Sequence, residues 1–167
     1  MNIKIVPISK VLSKKAFDCG ITELNQYFRQ YAFTNDKKTI GRTFVAVKHN
    51  IPFKPIGYYT VSSAQIFFND LPEDMKKGIP RYPVPAMRIG KLAIDLQYQK
   101  QGVGAFLLKD VFSRALSLSK EIGLKCILVD AINDKAKSFY MKYGFIQFPE
   151  KPLILVLPIE TVISAIS

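Results

Sequence analysis

Two glycines, Gly102 and Gly104, stand one residue apart after an apolar run that begins at Met87, and they open a long amphipathic segment. Glycines let backbone N–H groups approach a phosphate closely. The unsatisfied amides at a helix N-terminus, with the positive end of its dipole, favour an anion there. The chemistry to expect of Gln99, Lys100, Gln101, Gly102, Val103, Gly104 and Ala105 is therefore the holding of a phosphate-bearing cofactor. The commoner phosphate loops are excluded by spacing. A P-loop has four residues between its glycines and then Lys-Ser/Thr, whereas Gly104 is followed by Ala105 and Phe106; a dinucleotide fingerprint needs a third Gly where this chain has Leu107. A Gly-rich helix start without a ligand is the structural alternative.

Other chemistries are poorly served. Cys19 and Cys126 are too few and too far apart for a zinc cluster or a disulfide framework, and the one histidine, His49, lies in the turn-like Lys48-His49-Asn50 with no partner for a metal or a triad. No metal is expected. Charge is more informative: the net is +11, and residues 1 to 100 hold sixteen Lys/Arg against seven Asp/Glu. Such a bias suits nucleic acid or a very acidic protein better than a neutral metabolite, with solvated surface lysine as the plain alternative. The 167 residues are the size of one domain, residues 1–167. No apolar run reaches a membrane span and MNIKIVPISK has no secretory h-region, so a cytoplasmic protein without membrane contact is expected.

The elements that must position the loop follow from periodicity. Ile3, Ile5 and Ile8 open a short strand with Pro7 near its end, which suits a sheet edge. Asp18 is placed to cap a helix whose apolar positions are Ile21, Leu24, Phe28 and Tyr31, ending at Asn35 to Lys38. Thr43 to Lys48 and Ile56 to Ile66 read as strands joined by a hairpin loop over Asn50 to Pro55. Asn69 to Pro85, rich in proline, reads as a long surface excursion with a helical turn near Glu73 to Lys77. A strand over Met87 to Asp95 then leads through the Gly turn into a helix over Val103 to Ile122, with Gly123 as its C-cap. Cys126 to Ala131 reads as a strand buried on both faces, and Asn133 and Asp134 cap a helix over Lys135 to Tyr143 that Gly144 stops. Phe145 to Phe148, Leu153 to Leu157 and an apolar tail, Ile159 to Ile166, complete the chain. The order implies an α/β (α+β) fold, a single mixed central β-sheet flanked by helices.

Three stretches carry a family resemblance. Gln99-x-x-Gly102-x-Gly104 resembles the Q/R-x-x-G-x-G/A loop of the GCN5-related N-acetyltransferases (GNAT), and Asn133-x-x-Ala136-x-x-Phe139-Tyr140-x-x-x-Gly144-Phe145 resembles that family's N-x-x-A-x-x-F-Y-x-x-x-G-F element. The element order agrees with the GNAT fold over the whole chain. Phe17-Asp18-Cys19-Gly20-x-x-x-Leu24-Asn25-x-Tyr27-Phe28, Arg42-Thr43-Phe44-Val45 and Leu92-Ala93-Ile94-Asp95 are similar to the GNAT toxins of type II toxin–antitoxin modules, of the TacT and AtaT kind. One departure is Lys100, where relatives often carry a further Gly; a Lys beside a phosphate is electrostatically reasonable.

The resemblance implies acetyl-coenzyme A as cosubstrate. Backbone groups of Leu92, Ala93 and Ile94 would pair with its pantetheine arm, Gln99 to Ala105 would hold its pyrophosphate, and Asn133 and Phe139 would lie against it. Tyr140 would give a proton to the departing thiolate. The acceptor implied is the α-amino group of aminoacyl-tRNA, with Lys37, Lys38, Arg42, Lys76, Lys77, Arg81, Arg88 and Lys91 as phosphate contacts. The family also implies a ribbon-helix-helix antitoxin, a homodimer, and operator DNA reached only through the antitoxin complex. An acetyltransferase acting on a protein N-terminus, a lysine or a small amine is the competing enzyme, and a purely repressive DNA-binding role the competing non-enzyme. A lysine acceptor would want a general base, for which Asp95 is the candidate, although it reads more simply as a strand-end residue that orders the loop.

Overall fold

The structure, a computed structural model, describes residues 2–166. Its strands are β1 (Ile3–Pro7), β2 (Arg42–Lys48), β3 (Ile51–Ile66), β4 (Val84–Ile94), β5 (Cys126–Asp130), β6 (Ile146–Gln147) and β7 (Ile154–Pro158). Its helices are α1 (Thr22–Gln26), α2 (Ala32–Lys37), α3 (Glu73–Lys76), α4 (Val103–Ser119), α5 (Asp134–Met141) and α6 (Ile159–Ile166). Among the described residues the strands form one mixed seven-stranded sheet in the order β1-β2-β3-β4-β5-β7-β6. Its β4–β5 ladder is parallel, while the β1–β2, β2–β3, β5–β7 and β6–β7 ladders are antiparallel. This is the α/β class expected. The chain divides into two compact units, the first holding the residues up to Ser62 with Gly90–Val111, the second Ser63–Ile89 with the residues from Phe112 onward.

In the first unit β1 lies at the sheet edge, where the missing N–H of Pro7 costs no ladder bond. The expected hairpin loop over Asn50 to Pro55 is not one. β3 already begins at Ile51, so only His49 and Asn50 turn the chain. Pro52 and Pro55 cannot donate to a ladder, and register shifts between Ala46 and Val47 and between Val47 and Lys48 absorb them.

The helical segment also departs from expectation. Asp18 does not cap it: Ile21 is the N-cap residue without a side-chain bond. The Asp18 carboxylate instead accepts from Gly20 N–H and Asn25 Nδ2, both at 2.8 Å, because Gly20, at φ +86°, turns the chain back on itself. These hydrogen bonds, Gly20 first, hold the carboxyl below its usual range. Between α1 and α2 the residues Tyr27–Tyr31 form a π-helical turn, in which Ala32 N–H reaches Tyr27 C=O. The wider turn advances the apolar phase by one residue, so Tyr31 is 50% exposed and Ala32 is buried in its place. Phe28 stacks on Tyr58 at 4.5 Å between ring centres and tilts against Phe17 at 4.9 Å, while Tyr58 Oη donates to Leu24 C=O at 2.7 Å. This aromatic trio is the centre of the unit's core, which includes Ala93 of β4.

In the second unit the excursion from Asn69 to Pro85 is not simply a surface loop. Leu71 and Met75 are buried against Val84, Ala86, Cys126, Phe148 and Val156, so α3 is pinned to the sheet. Cys126 is deep in that core, and burial pushes its thiol up to about 12. The helix α4 stops at Ser119, short of the expected Ile122, and a turn follows in which Ile122 is 55% exposed. Gly123 is not the C-cap; Gly144, at φ +95°, does end α5 as expected.

At the end of α2, Thr39 N–H bonds Asp36 C=O and Ile40 N–H bonds Asn35 C=O, both at 3.0 Å, a Schellman closure. Its C′ residue, Thr39, is held at φ +59°, where a β-branched side chain is strained. Replacing Thr39 by Gly should stabilise the protein by about 1 kcal/mol, the strain relieved less the extra entropy of glycine. Urea unfolding of the two proteins measures it.

Candidate active site

The first unit carries the end of β4 and the Gly turn. Among the described residues β5 pairs with β4 only from Ala86 to Ile89, so Gly90–Ile94 continue without a β5 partner. Backbone amides on an open strand edge need hydrogen bonds, and an extended amide-containing ligand supplies them. On its other side the strand end lies very close to β3. A Cβ on Gly57 would fall 3.0 Å from Ile94 Cδ1, 3.1 Å from the Ala93 carbonyl oxygen and 3.2 Å from Leu107 Cδ1. A side chain there would crowd the Ala93 carbonyl, so glycine suits this close approach. A second anchor ties β3 to α4, where the buried Tyr59 donates to Asp110 Oδ2 at 2.5 Å.

The strand end is stitched to the Phe17-Asp18-Cys19-Gly20 turn. Leu96 N–H donates to Asp18 C=O at 2.8 Å, and Asp18 N–H donates to Asp95 Oδ2 at 3.1 Å. Asp95 Oδ1 accepts from Gln97 N–H at 2.9 Å. Both oxygens of this buried carboxylate thus order the turn, as its strand-end reading predicts. Gln99 Nε2 donates to Ile94 C=O at 2.9 Å and to Cys19 C=O at 3.1 Å, so its side-chain amide braces the loop while its backbone leads into it. Sequence reasoning missed this stitching. The Asp18-x-Gly20 turn was its visible trace.

The loop itself bends through Lys100 at φ +61° and Gly102 at φ +85° before α4 begins at Val103. A left-handed residue is where a further Gly would be at ease, so the Gly expected of the family loop in place of Lys100 has a physical reason. Lys100, Gln101 and Gly102 are exposed, Gly104 and Ala105 half-buried, and Val103 is buried as an anchor. Gln101 Nε2 is engaged by Gln97 C=O at 2.9 Å.

The second unit carries Asn133, Phe139 and Tyr140. Asn133 caps α5, its Oδ1 accepting from Ala136 N–H at 2.8 Å, which leaves its amide nitrogen and a second lone pair on Oδ1 for other partners. Phe139 packs its ring on Tyr140 and Tyr143 at 5.2 and 5.3 Å, and Tyr140 lies edge-on to Phe145 at 5.3 Å. The Tyr140 side chain is buried, and burial raises its phenol well above the ordinary value. Its hydroxyl makes no hydrogen bond among the described residues, and no side-chain oxygen there is both sealed from solvent and unpartnered. The Tyr140 oxygen is therefore not wholly sealed from solvent.

Of the basic candidates in the first unit, Lys37 and Lys38 are exposed, Arg42 is ion-paired with Asp36 at 3.0 Å, and Lys91 lies 4.8 Å over the Tyr27 ring. In the second, Lys77 and Arg88 are exposed, Lys76 pairs with Glu73 at 2.8 Å, and Lys76 and Arg81 both lie over Phe68. Among the described residues no group of three or more His, Cys, Asp or Glu could hold a metal ion, and no helix is long and apolar enough to cross a membrane.

The acetyltransferase (GNAT) domain matches residues 39–147. The tRNA-acetylating toxin of Mycobacterium tuberculosis (strain ATCC 25618 / H37Rv) is 32% identical over 142 residues, 85% of this chain and 83% of that protein. A Tyr-to-Phe mutant of KacT superposes with a TM-score of 0.93 at 30% identity, covering 98% of this chain and 99% of that one. AtaT complexed with acetyl-methionyl-tRNAfMet superposes at 0.91 with 27% identity, covering 99% of both chains. The chain belongs to the GNAT acetyltransferase family and is an N-acetyltransferase.

Replacing Gly57 by Ala should push β3 from the strand end at Ala93 and Ile94, at a cost of about 1–3 kcal/mol. Acetyl-coenzyme A affinity should fall with it. Urea unfolding and calorimetric titration of the same sample check both.

Proposed function

We propose that this GNAT N-acetyltransferase moves the acetyl group of acetyl-coenzyme A onto the α-amino group of an aminoacyl-tRNA, arresting translation as the toxin of a type II toxin–antitoxin pair. The observation that carries the reading is the end of β4. An open strand edge over Gly90–Ile94 running into a glycine turn at a helix N-terminus suits an extended amide arm that ends in a pyrophosphate. The acceptor is supported by the names of the relatives, a tRNA-acetylating toxin and a complex with acetyl-methionyl-tRNA.

In this reading Leu92, Ala93 and Ile94 pair with the pantetheine arm through their backbone, and one of their amides polarises the thioester carbonyl. Gln99, Lys100, Gln101, Gly102, Val103, Gly104 and Ala105 form the pyrophosphate loop, and Asn133 and Phe139 contact the arm. The uncharged α-amine attacks the carbonyl carbon and the C–S bond breaks. The sulfur takes a proton from Tyr140, the new ammonium centre loses one to water, and solvent restores the phenol. No protein base is required. An α-amino group, with a pKa of ~7.7–8.0 against ~10.4 for lysine, is neutral a few hundred times more often near pH 7. Lys37, Lys38, Arg42, Lys76, Lys77, Arg81, Arg88 and Lys91 contact RNA phosphates. The same reading implies a ribbon-helix-helix antitoxin, operator DNA contacted only through that complex, a homodimer, and a cytoplasmic site of action.

Incubated with labelled acetyl-coenzyme A, the protein should mark charged tRNA and leave deacylated tRNA unmarked. Equal labelling of the two would exclude the α-amine as acceptor, and labelling of protein or polyamine instead would favour the broader acetyltransferase reading. Tyr140→Phe should lose about 100-fold or more in rate while binding acetyl-coenzyme A within about twofold of the parent. The rate should also rise with pH through ~8 as the α-amine loses its proton. Because burial raises the Tyr140 pKa, the phenol keeps its proton above its ordinary ~10, and no falling limb should appear below that pH. Initial rates on a hydrolysis-resistant aminoacyl-RNA analogue test this profile.

A further inference from the structure

Two lysines of the first unit share one aromatic ring at the root of the Gly turn. Lys48 Nζ, at the end of β2, lies 5.1 Å from the Tyr98 ring centre, and Lys54 Nζ, on β3, lies 5.6 Å from it. The two ammonium groups are therefore no more than about 11 Å apart. Neither makes an ion pair or hydrogen bond among the described residues. No Asp or Glu occurs between Asp36 and Asp70, so the strands that carry them offer no local counter-charge.

The placement of the ring matters as much as the charge. Tyr98 closes the short 3-10 turn Leu96–Tyr98, with its N–H on Asp95 C=O at 2.8 Å, and the Asp95 and Gln99 stitches fix that turn on either side. Lys100 follows two residues later. A ring face holds an ammonium in place but, unlike a carboxylate, leaves its charge uncompensated. Two like charges held on one ring repel each other, and a bound anion offsets the repulsion. Ion-paired Arg42 and Lys76 offer no such surplus.

We propose that Lys48, Lys54 and Tyr98 form a phosphate-binding site beside the Gly turn. The inference rests on the proposed function for its two sources of phosphate, the RNA backbone and the 3′-phosphate of coenzyme A. The two ammonium groups bind the phosphate oxygens, and the Tyr98 ring holds both beside the turn.

The test uses full-length protein carrying Lys48→Gln with Lys54→Gln, a Tyr98→Leu variant that keeps both charges, and Lys10→Gln with Lys14→Gln as a control. The control removes equal charge from another shared ring, Phe33, where the two lysines lie at 5.9 and 5.2 Å. Thermal melting confirms that each variant is folded. Affinities are measured for deacylated bulk tRNA over a salt series, for coenzyme A and for 3′-dephospho-coenzyme A.

The Lys48/Lys54 variant should lose roughly fivefold or more for one probe. Loss for tRNA, with the slope of log affinity on log salt reduced by about one and coenzyme A unaffected, assigns the RNA phosphate. Loss for coenzyme A with dephospho-coenzyme A unaffected assigns the 3′-phosphate. Tyr98→Leu should weaken the same probe. Affinities within twofold of the parent for both ligands, an equal loss in the Lys10/Lys14 control, or full retention by Tyr98→Leu would each overturn the site. If the parent acetylates no charged tRNA, the proposed function fails while these binding comparisons still decide the lysine pair.

Discussion

A strand that gives up its neighbour must be held by something else. β4 is paired with β5 only as far as Ile89, and the five residues beyond it keep an open edge. Left to itself such an end would fray, because exposed ladder groups exchange with water and little fixes the chain. Here the main chain of Asp18 and Cys19 bonds the far end, Asp95 and Gln99 answer with side chains, and Gly57 lets β3 close in beside it. The unpaired strand end and the bonds that hold it are one design.

The electrostatics follow from that arrangement. A carboxylate such as Asp95, buried with both oxygens accepting from backbone N–H groups, is a structural pin. Tyr140 is in the opposite condition: its ring is packed, its hydroxyl is unclaimed among the described residues, and burial favours the neutral phenol. One acid has its hydrogen bonds filled and the other has them vacant.

The parts of the fold legible in the sequence are those whose cause is local. Gly102 and Gly104 before a helical period, Asn133 three residues ahead of Ala136, and Gly144 after Tyr143 each state their geometry in a few residues, and each took the expected form. The misreadings share a different origin. Asp18 has every local qualification as a helix cap, but the chain spends it on Gly20 and Asn25. Pro52 and Pro55 announce a loop, and bulges let a strand run through them. Met75 belongs to a polar, proline-rich stretch, and a partner more than seventy residues away in sequence, Phe148, gives it a core to enter. Each is a tertiary decision overriding a local preference. The stitching role of Gln99 was hidden for the same reason, since its acceptor on Cys19 is eighty residues distant.

The π-turn at Tyr27–Tyr31 carries a consequence for how this helix tolerates change in length. Such a turn holds one residue more than a regular helix would, and each residue of an α-helix advances its face by about 100°. Removing a single residue here would not break the helix but would let it relax to the ordinary pitch and rotate everything downstream. Phe28 could keep its place on Tyr58, while Lys37, Lys38 and the closure at Thr39 would swing to another side. The surplus residue acts as a phase setter, and the face that α2 turns outward is encoded by the length of this segment as well as by its side chains.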